Sequence, residues 1–335
     1  MNEPTIHVGT VGEGIWRSSD GGATWRRACD GMFVECDVRA LAVHPRNPRT
    51  LYAGTNEGVY RTNDGGDNWT RLEGPLDGVI TWSLLIVPQG PNVRNGPNIP
   101  HRPDVLLAGT RPAGIFCSTD GGRTWRKADA NLAQPCARIR FNRVTTLRAD
   151  PLEPQWLWAG VEIDGVWQSR DLGESWTKIG QGLSSADIHG LAIVPLGGGK
   201  RRIAATTNND LNLSHDDGVT WEPQRVSERF DHPYCRGLAQ RPDRPEVLFL
   251  GNGDGPPGYT GAAWRSGDGG LSWKRLALPA VPNSTIWDFA FHPAQPERVY
   301  AYSVSGEVYH STDGGDRWEK LPREFGEIRS LAWTP

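Results

Sequence analysis

The sequence predicts an all-β protein built from seven copies of one four-stranded unit, and three observations lead to this prediction. An eight-residue segment of the form S-x-D-x-G-x-[ST]-W recurs through the 335-residue chain, with small variations. Short strand-like stretches flank each copy in the same order. The two chain ends carry complementary parts of one unit. Repeats of about 40 to 50 residues with four strands each are typical of a β-propeller, so we expect one blade per copy.

The repeated segment has the composition of a tight turn between two strands. Its Asp can accept hydrogen bonds from turn N–H groups, the following Gly tolerates a positive φ, and the Trp buries a large ring. Because a catalytic group is rarely repeated seven times in one chain, we interpret these residues as structural. They are Asp20, Asp64, Asp120, Asp171, Asp216, Asp268 and Asp313, which places neighbouring copies 44 to 56 residues apart.

Residues 38–72 show the pattern of one complete blade. Alternating or apolar stretches at 38–45, 50–55 and 59–62 predict three strands, and a fourth follows the repeated segment at 69–72. The same pattern predicts six further first strands. They begin near Ile80, Val144, Ile188, Cys235, Ile286 and Ile328.

The chain ends predict how the ring closes. The N-terminal T-I-H-V-G-T matches a second strand that lacks a first, and the C-terminal E-I-R-S-L-A-W-T-P matches a first strand with nothing after it. Blade one should therefore combine residues 1–27 with 328–335, with Leu331 and Trp333 beside the strand that carries His7. Such closure removes an open sheet edge. We expect a single seven-bladed propeller domain over residues 1–335.

Composition limits the possible partners and cofactors. The net charge of −3 argues against a general affinity for nucleic acid or anionic membrane. No apolar run could span a bilayer, and the start M-N-E-P-T-I lacks signal-peptide features, so we expect a soluble, cytoplasmic protein unless a leader has been removed. Cys29 and Cys36 share one loop and could form a disulfide. The eight His residues lack metal-ligand spacing, and neither a metal nor another cofactor is expected.

The repeated segment resembles the Asp-box, or bacterial neuraminidase repeat, of sialidases, xyloglucanase-type glycosidases, the sortilin receptor and a photosystem II assembly factor. The resemblance covers the whole chain and implies a propeller. Function is implied only at a coarse level, because such proteins include hydrolases, lyases, receptors and assembly factors.

A ring of large or polar residues is predicted at the mouth of the central channel, on the rim opposite the Asp boxes. Alignment of the first strands on Leu or Phe at 41, 84, 147, 191, 238, 289 and 331 places this ring two residues earlier. Its members are Arg39, Trp82, Thr145, His189, Arg236, Trp287 and Arg329. All except Thr145 are candidate ligand-binding residues, suited to an anion on a flat or sugar-like body. Alternatively, the arginines pair with Asp187, Asp288 or Glu327 and lock the blades together.

Three long loops on the same rim are candidate recognition walls, although neutral variation could also explain their length. They are 128–142, with Arg138 and Arg140, 225–233 and 252–261. The insertion at 89–104 lies on the opposite rim and is interpreted as a simple loop.

Two glycosidase hypotheses follow from the resemblance. A sialidase needs an arginine triad, for which Arg39, Arg236 and Arg329 are candidates, and a nucleophile such as Tyr234 or Tyr259. The Arg-Ile-Pro motif of sialidases is missing, however, and those enzymes usually have six blades. Xyloglucanase-type enzymes place their carboxylates between two propellers, whereas this sequence predicts one.

A polysaccharide lyase is a further hypothesis. It needs a cation to neutralise a uronate carboxylate and a base to remove the neighbouring proton. His189, Tyr234 and Arg236 fall on neighbouring first strands near one level and are the candidate catalytic residues. The favoured prediction is a binding protein that recognises an acidic carbohydrate-like molecule or a protein segment at the channel mouth. A scaffold for protein partners remains the other non-enzymatic alternative.

Overall fold

Seven four-stranded antiparallel sheets form a closed ring. The computed structural model describes residues 3–89, 104–133 and 140–335. The first strand of each sheet contacts the first strand of the next, and the seventh contacts the first. The seven-bladed propeller expected from the sequence is thereby confirmed. Within the described ranges, no helix is long and apolar enough to cross a membrane.

The strands are short and follow the predicted order in every blade. The first strands, nearest the ring axis, are β4 (Val38–His44), β8 (Ile80–Val87), β12 (Val144–Ala149), β16 (Ile188–Pro195), β20 (Tyr234–Gln240), β24 (Ile286–Phe291) and β28 (Ile328–Thr334). The second strands are β1 (Thr5–Thr10), β5 (Asn47–Thr55), β9 (Val105–Arg111), β13 (Leu157–Val161), β17 (Arg201–Thr207), β21 (Leu248–Gly253) and β25 (Val299–Ser303). The third strands are β2 (Ile15–Ser18), β6 (Gly58–Thr62), β10 (Ile115–Ser118), β14 (Gly165–Ser169), β18 (Leu211–Ser214), β22 (Gly261–Ser266) and β26 (Val308–Ser311). The fourth strands are β3 (Arg26–Arg27), β7 (Thr70–Arg71), β11 (Arg126–Lys127), β15 (Thr177–Ile179), β19 (Glu222–Pro223), β23 (Lys274–Arg275) and β27 (Glu319–Lys320).

Each Asp box closes the turn between a third and a fourth strand. In blade three, Asp120 accepts hydrogen bonds from the backbone N–H of Thr124 at 2.9 Å and from its hydroxyl at 2.6 Å. Ser118 donates to the same carboxylate at 2.8 Å and accepts from the N–H of Gly122, whose φ is +87°. Every other box Asp likewise accepts bonds within its own turn. These carboxylates therefore stabilise the turns.

The C-terminal strand completes the first blade. Strand β28 pairs with β1, so that Trp333 lies opposite Ile6 and Leu331 opposite Val8. The Trp333 side chain is 1% exposed and donates from Nε1 to the carbonyl of Ala290 in blade seven at 3.1 Å. The predicted closure is confirmed, and it also ties blade one to its neighbour.

The two cysteines considered for a disulfide are not joined. Cys29 and Cys36 are both free, buried thiols in the cluster that packs blade one against blade two. Burial raises the pKa of Cys36 to about 12, with the neighbouring Cys29 adding to the effect. Both therefore act as small apolar side chains in the core.

Candidate functional site

Every first strand carries a β-bulge at the level of the predicted ring. In β4, the register with β5 shifts between Val38 and Ala40, so Arg39 has no directly opposed residue. Bulges re-aim side chains and often lie next to functional sites. In the other six blades, the register shift of the first strand likewise falls at the ring residue. These residues are Trp82, Thr145, His189, Arg236, Trp287 and Arg329.

The structure brings all seven ring residues to the wall of one cavity on the ring axis. The cavity has a volume of about 160 Å³. Pockets for drug-sized ligands are larger, at about 300 to 1,000 Å³. The cavity is therefore large enough for a compact group but too small for a segment of polysaccharide. We refer to this space as the mouth cavity.

Trp287 is enclosed by arginines from both neighbouring blades. The guanidinium carbon of Arg236 lies 4.2 Å from the centre of the indole ring, and that of Arg329 lies 4.3 Å away. Trp287 is only 8% exposed. The indole therefore holds two cations through cation–π contacts and presents little surface for stacking a sugar ring.

Trp82 is enclosed in the same way on the other side of the ring. Arg39 lies 5.0 Å from its ring centre and Arg143 lies 4.1 Å away. Sequence alignment of the first strands missed Arg143, because it precedes β12 and lies outside the aligned positions. Burial lowers the pKa of Arg143, although the paired carboxylate of Glu162 offsets part of this effect.

Two of the three predicted arginines already have carboxylate partners. Arg39 lies 2.6 Å from Asp37 and 3.9 Å from Glu327, and Arg329 also pairs with Glu327. Burial lowers the pKa of Arg329 to about 10, despite the opposing charge of Glu327, and the nearby Arg236 and Arg39 lower it further. Glu327 thus reaches from blade one to Arg39 of blade two, as one of the alternatives raised by the sequence requires, whereas its pair with Arg329 lies within blade one.

Arg236 differs from the other mouth arginines because it lacks such a partner. Arg236 is 7% exposed and lines the mouth cavity. No carboxylate of the described residues lies within 4.0 Å of its guanidinium, and segments 1–2, 90–103 and 134–139 contain neither Asp nor Glu. The charges of Asp187 and Asp288 act on Arg236 only from beyond this distance, and a buried charge without a directly bonded partner is costly. Arg236 is therefore the mouth cation best placed to receive an anion from outside.

Two of the three candidate catalytic residues, His189 and Arg236, line the mouth cavity, and Tyr234 lies next to His189. The ring centres of His189 and Tyr234 are 5.1 Å apart, and the charge of Arg236 acts on both groups. His189 donates from Nδ1 to the carbonyl of Cys235 at 2.8 Å. Burial raises the pKa of Tyr234, and Arg236 only partly offsets this. A phenol with a raised pKa is poorly suited to act as a general base.

Arg148 and Asp288 form a second charged level inside the channel, which the sequence analysis did not predict. Arg148 of blade four donates to the carbonyls of Leu147 at 3.0 Å, Leu191 at 3.1 Å and Leu238 at 3.5 Å. Burial raises the pKa of Asp288, and the charge of Arg148 opposes that rise. The sequence does mark Arg148 as unusual, because the other six first strands have Ala or Leu at the equivalent position.

The rim around the mouth combines ordered loops with exposed apolar side chains. In loop 252–261, Asp254 accepts the N–H groups of Tyr259 at 2.8 Å and Thr260 at 3.2 Å, while the Tyr259 side chain is 90% exposed. Phe33, Phe141 and Val281 are further exposed side chains in loops that lead into first strands. Of the other predicted loop features, Arg138 and most of insertion 89–104 lie outside the described residues.

Comparisons with known proteins agree with this architecture. A model described as the BNR/Asp-box repeat matches residues 116–127, and one described as sortilin, neurotensin receptor 3, matches residues 209–334. The chain is a seven-bladed Asp-box propeller. An oligoxyloglucan-reducing end-specific xyloglucanase of Emericella nidulans is 33% identical over 81 residues, which cover 24% of this chain and 10% of the enzyme.

Two solved structures illustrate the range of proteins that share this propeller fold. The GH74 xyloglucanase from Xanthomonas campestris has a TM-score of 0.65 at 19% identity, over 99% of this chain and 52% of the enzyme. The structure of YCF48 bound to D1 peptide has a TM-score of 0.58 at 15% identity, over 93% of this chain and 92% of that protein. At these identities the similarity establishes the fold alone. The chain spans about half the length of the Xanthomonas enzyme.

Proposed function

We propose that this propeller is a binding protein whose mouth cavity receives one compact anionic group of its ligand. The observation that carries the proposal is Arg236, a buried cation without a carboxylate partner on the wall of a small cavity. A guanidinium can donate two parallel hydrogen bonds to a carboxylate, sulfate or phosphate. An anion at this position would offset the cost of burying the charge.

The size and lining of the mouth cavity favour a single acidic group over a polymer chain. At about 160 Å³, the cavity is below the range of pockets that enclose drug-sized molecules. Trp82 and Trp287 are covered by arginines, so they support the guanidinium groups and leave little indole surface for a sugar ring. The acidic group can belong to a carbohydrate-like molecule or to a protein segment.

The apolar side chains on the mouth rim favour a protein segment as the source of that group. Phe33 is 53% exposed, Val281 73% and Tyr259 90%, and all three belong to loops of the mouth rim. Aromatic side chains such as Phe33 and Tyr259 are enriched in protein–protein interfaces. YCF48, which shares the fold, has been solved with a bound peptide.

A uronate lyase is the second candidate function, because His189 and Arg236 line the mouth cavity and Tyr234 lies next to His189. Arg236 would neutralise the uronate carboxylate, and His189 or Tyr234 would remove the neighbouring proton. The raised pKa of Tyr234 and the small cavity make this candidate weaker than binding. Appearance of the ultraviolet absorbance of an unsaturated uronate, in a panel of acidic glycans, would support it.

Calorimetric titration at low salt tests the binding proposal. The probes are sulfate, D-glucuronate and the acidic tripeptide amide acetyl-Leu-Glu-Leu-amide, with D-glucose as the neutral control. Arg236→Met should weaken anion binding by about tenfold to a hundredfold, since hydrogen bonds to charged groups contribute about 1.5–3 kcal/mol. Tighter binding of the tripeptide than of glucuronate would favour a protein segment.

Arg265→Met is the matched control, because Arg265 pairs with Asp316 at an Asp box on the opposite rim. This variant should bind the probes as the unmodified protein does. If no anionic probe binds, or if Arg236→Met binds them with unchanged affinity, the proposal is wrong.

A further inference from the structure

We propose that the Asp187–His189 pair makes anion binding at Arg236 depend on proton uptake, so that the mouth cavity holds an anion more tightly in acid. This inference rests on the proposed function, and it adds a regulatory property to the same site. It concerns two residues that the binding proposal itself does not require.

The geometry leaves one place for an additional proton. His189 is 8% exposed, and its Nδ1 donates to the carbonyl of Cys235 at 2.8 Å. Its Nε2 lies 3.5 Å from Oδ1 of Asp187, and that oxygen is buried without a hydrogen-bond partner. Because Nδ1 already carries a hydrogen, a neutral His189 directs the lone pair of Nε2 towards the carboxylate. A proton on Nε2 would satisfy both groups.

Charged and titratable groups from the two neighbouring blades surround this pair. Arg236 and Tyr234 reach it from blade six, and Arg143 reaches it from blade four. His189 and Asp187 themselves belong to blade five. Both arginines favour the ionised form of Asp187, and Arg236 disfavours a charge on His189. The pair therefore shares its electrostatic environment with the proposed anion-binding cation.

The direction of the effect follows from the charges. Burial lowers the pKa of His189, although its contact with Asp187 acts in the opposite direction. Burial opposes ionisation of Asp187, but His189 and the two arginines hold its pKa below the usual value. At neutral pH the pair therefore carries one negative charge beside Arg236. Proton uptake by His189 below its ordinary pKa removes that net charge.

An anion at Arg236 and a proton on His189 then stabilise each other. The anion adds negative charge near the imidazole and raises its pKa, while the protonated imidazole attracts the anion. Such coupling is reciprocal by thermodynamic necessity. It should appear both as a change in affinity with pH and as a change in the His189 pKa on binding.

Titration of the full chain with sulfate tests the inference, because sulfate does not change its charge in the relevant range. Affinity should rise by about tenfold or more as the pH falls from 7.5 through the lowered pKa of His189, because the unit charge that is removed acts on the bound sulfate at short range. NMR titration of the His189 resonance should show a higher pKa with sulfate bound. D-glucuronate should behave in the same way.

Two variants identify the groups responsible. His189→Asn can keep the hydrogen bond to the Cys235 carbonyl but cannot take up the proton, so the affinity gain in acid should disappear. Asp187→Asn removes the negative charge and should strengthen sulfate binding near pH 7.5 by about tenfold or more. His215→Asn, at an exposed position in the Asp box of blade five, is the control and should keep the full pH response.

The outcomes separate this inference from the proposed function. Absence of sulfate and glucuronate binding at every pH contradicts both. Binding that depends on Arg236 but does not strengthen at any pH below 7.5 at which the protein stays folded contradicts only the proton coupling. A full pH response in His189→Asn, or a His189 pKa that sulfate does not change, would also overturn the inference.

Discussion

Replacement of Arg148 by Met removes the hydrogen bonds that span the channel while keeping an unbranched apolar side chain. Arg148 connects three blades, because it donates to carbonyls in β12, β16 and β20. Arg236→Met is the matched comparison. Both arginines extend from first strands into the same channel, but among the described residues only Arg148 donates to the surrounding backbone.

The expected loss of stability for Arg148→Met is about 3 kcal/mol. Its two shorter bonds, at 3.0 and 3.1 Å, would contribute about 1.5–3 kcal/mol each as bonds to a charged group. Part of this is recovered, since Asp288 can become neutral and a guanidinium no longer has to be desolvated. With an unfolding entropy of about 2.1 cal/mol/K per residue, the 335-residue chain should melt about 4 °C lower.

Arg236→Met should change the free energy of unfolding by less than about 1 kcal/mol, because loss of the contact with Trp287 is offset by relief of an unpaired charge. Urea denaturation and calorimetry of both variants measure the difference. Adding Asp288→Asn to Arg148→Met should restore part of the loss. Equal destabilisation by Arg148→Met and Arg236→Met would refute the distinction between a structural and a ligand-binding arginine in this channel.

Three further predictions concern the framework. Hydrogen bonds, chiefly from the Thr24 side chain, lower the pKa of Asp20 to about 2. Burial opposes the same change at Asp120, but hydrogen bonds from Thr124 and Ser118 outweigh it and lower the pKa of Asp120 to about 2. Depressed carboxyl pKa values stabilise the fold above about pH 4, so the urea midpoint should fall between about pH 4 and pH 2, and a constant midpoint would contradict this. Trp333→Ala should cost about 3–5 kcal/mol in urea denaturation, whereas the exposed Val219→Ala should cost little. Cys36, with a pKa raised to about 12, should resist iodoacetamide in the folded protein, and rapid labelling detected by mass spectrometry would be the contrary result.

The blade architecture was determined by the sequence because its causes are local. A Ser or Thr, an Asp and a Gly at fixed spacing form the Asp-box turn from groups within eight residues. Alternating side chains and turn residues located the start of β24 and β28 at Ile286 and Ile328, as observed, and that of β20 within one residue. The ring level was also visible, since one row of large or polar residues interrupts apolar and small ones.

Only the tertiary structure decided what the ring residues do. Arg39, Arg236 and Arg329 occupy equivalent positions, yet Glu327 pairs with two of them and leaves Arg236 without a carboxylate. The two indoles are covered by arginines from neighbouring blades, and Arg148 reaches carbonyls across the channel. These contacts join residues from different blades, so they depend on the packing angle of each blade and on the bulges. Sequence periodicity specifies which side chains face the axis, whereas their distances across the axis are set by closure of the whole ring.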